Sequence, residues 1–70
     1  MEGLTNLEKE LRLIGKEEFS IGDYQFFYEV GKGTYYVTGK LVNLGYLDDI
    51  HYYDKDLFKE IETKVYEIKT

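Results

Sequence analysis

Apolar residues recur along this chain with two different periods. Leu7, Leu11 and Ile14 fall on one face of a helix, and Glu8 and Arg12 form an i,i+4 pair in the favourable order. Thr5-Asn6-Leu7-Glu8 has the spacing of a capping box, in which the Thr5 hydroxyl accepts from the Glu8 N–H and the Glu8 carboxylate accepts from the Thr5 N–H. Gly15 followed by Lys16 is a helix stop. Together these signals predict a helix over about residues 5–15.

From Phe19 the period falls to two. Tyr24, Phe26, Tyr28 and Val30 alternate with Asp23, Gln25 and Glu29, and Phe27 is the apolar exception on the polar side. Beyond Gly31-Lys32-Gly33 lies a second run, rich in Tyr, Val and Thr. The pattern predicts strands over about residues 19–30 and 34–42, joined as a hairpin. A two-residue loop at Lys32-Gly33 would set Val30 opposite Tyr35, Tyr28 opposite Val37, Phe26 opposite Gly39 and Tyr24 opposite Leu41, with every apolar residue on one face. A three-residue loop would scatter them over both faces. The opposite face then carries Asp23, Gln25, Phe27 and Glu29 beside Tyr36, Thr38, Lys40 and Val42, with Phe27 and Tyr36 as diagonal neighbours.

Asn43-Leu44-Gly45 is a turn signal, and Ile50-His51-Tyr52-Tyr53 has strand propensity, which predicts a short third strand over about residues 46–53. Asp54 then caps a final helix over about residues 55–68. Tyr53 and Phe58 stand at the positions of a hydrophobic staple, Asp56 lies in the first turn, and Leu57, Ile61, Val65 and Ile68 form the stripe that Phe58 widens. The order α-β-β-(β)-α predicts a small single α+β domain: an antiparallel hairpin or three-stranded sheet with two helices packed on one face.

Composition narrows the picture. Seventy residues is near the lower limit for an unaided core, and with no Cys and a single His there is neither a disulfide nor a zinc centre to help. Eight Tyr and four Phe supply large apolar area instead. The net charge is −5, and the nine Lys and Arg are spread along the chain, which argues against direct binding of a nucleic-acid backbone. No apolar run approaches the ~18 residues of a membrane span. Met1-Glu2-Gly3-Leu4 lacks the basic and apolar regions of a signal peptide. The expectation is a cytoplasmic protein, of the producing or host cell, with no membrane partner.

Three motifs invite chemistry. Gly31-x-Gly33 departs from phosphate loops: Tyr36 replaces the third Gly of a dinucleotide fingerprint, Gly39-Lys40 is followed by Leu41, and the loop leads into a strand rather than a helix N-terminus. Lys32-Gly33-Thr34-Tyr35-Tyr36-Val37 resembles part of the RNP1 strand of RNA-recognition motifs and its counterpart in cold-shock domains, through the basic residue, the Gly, Tyr36 and Val37. Thr34 and Gly39 stand where that pattern has aromatics, and the opening helix departs from its βαββαβ order. The resemblance implies bases stacked on sheet aromatics, a minor reading. Asp48, Asp49, His51, Asp54 and Asp56 form the densest acidic cluster, either a divalent-cation or acid/base centre or a solvated loop followed by a helix cap; EF-hand spacing is missing. No nucleophile–base–orienter set is present and no cofactor is called for, so the chain reads as noncatalytic.

The leading expectation is an acidic protein-binding module whose partner is another, basic protein. In its sharpest form it is an inhibitor or regulator occupying the basic groove of a nucleic-acid-handling protein, its carboxylates standing where phosphates lie. In size and charge the chain is similar to the small inhibitors that phages and mobile elements encode against glycosylases, nucleases and CRISPR effectors. The candidate contact residues are Asp23, Phe27, Glu29, Tyr36, Asp48, Asp49 and Asp54. The alternative is a self-associating accessory protein, a homodimer through the exposed sheet face or a free edge strand.

Overall fold

The computed structural model describes residues 2–69. The first helix, α1 (Glu2–Arg12), buries Leu4, Leu7 and Leu11 at i, i+3 and i+7. It begins a turn earlier than the capping box predicts, because Leu4 joins the buried stripe. Thr5 therefore lies inside the helix and exposed, and no capping box forms there. The Glu8 carboxylate instead accepts from the Thr34 hydroxyl at 2.7 Å, across 26 residues of chain. After Arg12 the chain tightens: Ile14 N–H donates to Leu11 O at 3.2 Å and Gly15 N–H to Arg12 O at 3.0 Å. Gly15 sits at φ 75, the left-handed geometry that stops a helix cheaply only with glycine. Ile14, expected on the buried stripe, is left exposed by this unwinding.

Four antiparallel strands follow in sheet order β1-β2-β3-β4: β1 (Glu18–Ile21), β2 (Tyr24–Glu29), β3 (Thr34–Thr38) and β4 (Asn43–Tyr46). The single strand expected over 19–30 is two strands, folded back at Gly22-Asp23 so that Ile21 faces Tyr24. Gly22 has φ 61 and Asp23 does not have a positive φ, the arrangement of a type II′ hairpin turn. The register of β2 on β3 also differs from expectation. Phe26 faces Val37, Phe27 faces Tyr36, Tyr28 faces Tyr35 and Glu29 faces Thr34, which leaves a four-residue loop from Val30 to Gly33. Either favoured two-residue turn needs positive φ at its first position, here Lys32, which does not have it; Gly33, at φ 69, does. Lys32 and Gly33 N–H groups instead both donate to Glu29 O, at 3.1 and 2.8 Å.

Both loops are even in length, so the faces are conserved. Phe26, Tyr35 and Val37 are buried, and Tyr24 and Tyr28 pack against them, as the alternation predicts. Val30 and Leu41 fall in the loops rather than the ladder and are 75 % and 97 % exposed, contrary to their expected inward positions. Gly39 lies beyond β3, against Val42, and not under Phe26.

The segment expected as strand 46–53 is the helix α2 (Leu47–Tyr53). Leu47 and Ile50, three apart, are both buried, which a strand would place on opposite faces, and Asp48 and Asp49 fall in the first turn where the helix dipole favours acids. The strand lies just upstream, where Asn43-Leu44-Gly45 was expected to be a turn: β4 carries a bulge opposite Val37 and Thr38, and Gly45 takes φ 116.

The last helix, α3 (Lys55–Lys69), is capped as expected: Leu57 N–H donates to Asp54 Oδ1 at 3.2 Å. Phe58, Ile61 and Val65 are buried and Leu57 packs on the core, while Ile68 is exposed. The Tyr53–Phe58 staple does not form; Tyr53 is exposed, and Phe58 packs edge-on against His51, ring centroids 4.6 Å apart. The helices cover the sheet face that carries Phe26 and Val37, and the core lies between. The protein is thus a small α+β domain of helix, four-stranded antiparallel sheet and two further helices.

Candidate functional site

The sheet face turned away from the helices is the surface with the most chemistry. Its register sets Glu18, Phe27, Tyr36 and Tyr46 in one row across the four strands. Phe27, Tyr36 and Tyr46 are half-buried, whereas Phe26 and Val37 beneath them are fully enclosed. Tyr36 and Tyr46 meet edge to face, centroids 5.1 Å apart with 73° between planes. The Lys32 ammonium lies 4.5 Å from the Tyr46 ring centroid, within range of a cation–π contact. This contact carries the Val30–Gly33 loop over one end of the row. Ser20, Gln25 and Thr38 form a polar row toward the other end. Exposed Glu18 and Glu29 flank the aromatics with negative charge.

The structure brings some of the expected contact residues together and separates others. Phe27 and Tyr36 are on this face as predicted, as direct cross-strand neighbours rather than diagonal ones. Glu29 is two residues further along β2. Because β4 runs from Asn43 opposite Thr38 to Tyr46 opposite Tyr36, α2 starts at the same end of the sheet as Glu29. Asp48 and Asp49 therefore stand exposed near that end, with Asp49 N–H bonded to Asp48 Oδ1 at 2.8 Å. Asp23 lies in the β1–β2 turn at the opposite end, and Asp54 is already engaged as the α3 cap. Among the described residues, no three acidic or His side chains gather closely enough to hold a metal ion.

Sequence reasoning missed Tyr46. The expected turn at Asn43-Leu44-Gly45 and strand over 46–53 leave Tyr46 without a partner on this face, and only the bulge in β4 brings its ring there, which no period-two count reveals. Two tyrosines on the inner side are perturbed. Burial raises the Tyr24 pKa, helped by a hydrogen bond to Glu60 and by the charges of Glu60 and Asp23. Burial also raises that of Tyr35, the Arg12 charge opposing it. The Arg12 guanidinium lies 5.9 Å from the Tyr28 ring centroid, on the helix-covered side of the sheet.

No family model matches this chain, and no curated protein or solved structure matches it. Among the described residues, no helix is long and apolar enough to cross a membrane.

Proposed function

We propose that this chain is a noncatalytic protein-binding module whose contact surface is the outer face of the sheet. The observation that carries this reading is the row Phe27-Tyr36-Tyr46, three half-buried rings on the sheet face turned away from the helices, with only the Lys32 side chain reaching over the Tyr46 end. Tyrosine and phenylalanine bury large area while freezing few torsions, which makes such rings energetic anchors of protein interfaces. Glu18 and Glu29 border the row, Asp48 and Asp49 extend the acidic margin at one end, and the chain carries a net charge of −5. That charge favours a basic partner surface and speeds the encounter with it. In its sharper form, the partner surface is a groove that otherwise holds nucleic acid, with the carboxylates taking the place of phosphates.

The test uses the chain as bait, followed by titration of the purified basic protein it retains. Phe27→Ser with Tyr36→Ser is expected to weaken that affinity by at least about tenfold. Asp48→Lys with Asp49→Lys is expected to weaken it and flatten its salt dependence, with the far-UV circular dichroism unchanged. Competition by a short DNA duplex supports the groove; failure to compete removes that part alone. Affinity that both double variants leave unchanged would sink the whole reading.

A further inference from the structure

The opposite edge of the sheet from β4 carries a second surface. Leu13 and Ile14 after α1, Phe19 and Ile21 on β1, and Val65 and Ile68 on α3 line an open apolar groove of about 400 Å³ beside that edge, with Glu10 and Lys16 among its polar lining. Leu13 is 74 % and Ile68 63 % exposed, an unusual display for a chain with so little surface to spare.

The edge itself is open in a defined phase. Tyr28 N–H donates to Glu17 O at 2.8 Å, so Glu17, Phe19 and Ile21 direct their main-chain groups toward β2. By alternation, Glu18 and Ser20 direct theirs outward, and both residues are exposed. The other edge strand is protected differently: β4 is bulged and runs straight into α2.

We propose that β1 and the groove beside it form a twofold interface between two copies of this chain. The occupant follows from the phase of the edge. In an antiparallel pairing centred on Phe19, Glu18 of each copy stands opposite Ser20 of the other, and these residues exchange four main-chain hydrogen bonds. Phe19 faces its mate, no like charges stand directly opposite, and Leu13, Ile14 and Ile68 of the two copies approach one another on the helix side. Four-residue strand pairing is too small an interface alone. A standard interface buries roughly 800 Å² per partner, about a sixth of the 4897 Å² surface of this chain. The ends of α1 and α3 must therefore take part, and these are where the exposed apolar residues lie.

Sedimentation equilibrium of the full chain, across micromolar concentrations and at low and high salt, tests the proposal. The expected result is a species of twice the 8.3 kDa chain mass. Its dissociation constant should fall as salt rises, because screening relieves repulsion between two copies of charge −5. Ser20→Pro removes an outward N–H and spares the β1–β2 ladder, and should raise the dissociation constant by at least about tenfold. Leu13→Glu, at an exposed site whose loss leaves the core intact, should do the same, while Tyr36→Ser on the outer face should leave it unchanged. A monomer at every concentration overturns the proposal. So does a dimer indifferent to both Ser20→Pro and Leu13→Glu, or one that only Tyr36→Ser dissociates. Binding of a basic partner to the outer face is measured separately, so either reading can fail without the other.

Discussion

Burial, hydrogen bonding to the Glu60 carboxylate and the neighbouring negative charges all hold the Tyr24 phenol in its protonated form, and burial does the same for Tyr35. Both groups bind their proton more tightly folded than unfolded. Their contribution to stability is therefore intact below the unfolded-state value near pH ~10 and is lost as pH rises through the higher folded-state values. Tyrosinate absorbance should show a late-titrating fraction, and alkaline unfolding should begin as that fraction ionises. Tyr24→Phe should remove part of the late fraction and shallow the loss of stability above pH ~10. A single unshifted titration of all eight Tyr would contradict this.

At the scale of elements, the β2–β3 hairpin shows how a correct pattern can carry a wrong register. The expected pairing and the observed one differ by two residues, and both keep Phe26, Tyr28, Tyr35 and Val37 on one face. Alternation cannot separate them; the backbone of Lys32 does, because a positive φ at a non-glycine residue costs about 1–2 kcal/mol. Asn tolerates that geometry, so Lys32→Asn should bring the two-residue Asn-Gly turn within reach. Cross-strand NMR contacts should then show a population with Phe26 near Gly39 in place of Val37. An unaltered Phe26–Val37 contact as the sole pairing would refute the account. Local backbone chemistry of this kind was legible elsewhere. Asp54 marked the start of α3 through capping geometry and stands where expected, whereas Gly15 takes the left-handed φ of a helix stop although α1 already ends at Arg12. Gly22-Asp23 carried an equally local turn signal, overlooked within a run twelve residues long, a length few strands reach. The helix α2 and the bulge in β4 were not legible, because Leu47 and Ile50 choose their conformation by what they bury and not by propensity.

For the whole molecule, the two surfaces answer ionic strength in opposite ways. Screening weakens contact between the acidic outer face and a basic partner, and strengthens contact between two copies of the same negative chain. The aromatic row was partly legible, since Phe27 and Tyr36 followed from alternation alone. The β1 edge was not: it exists only because the chain turns at Gly22-Asp23, and the groove beside it depends on α1 unwinding before Leu13 and Ile14. Four of the acidic residues expected to act together are distributed by the fold, Asp23 to the β1–β2 turn, Asp48 and Asp49 to the start of α2 and Asp54 to the cap of α3, so the acidic margin at the aromatic row is narrower than the sequence implied.

The strand order β1-β2-β3-β4 follows the order of the chain, so every strand pairing is closed by a short local loop. Such a sheet incurs little loop-closure entropy before it gains contacts, and topologies of this kind fold quickly. What joins the two ends of the chain is the seating of α1 against α3 and α2, together with the distant Glu8–Thr34 bond. Helix α1, seated on α2 and α3 and tied to the sheet by that distant bond, is therefore expected to be the first element to open. Native-state hydrogen exchange should find the α1 amides releasing at lower free energy than those of β2 and β3. Equal protection across all three would mean that the helix and the sheet form in one step.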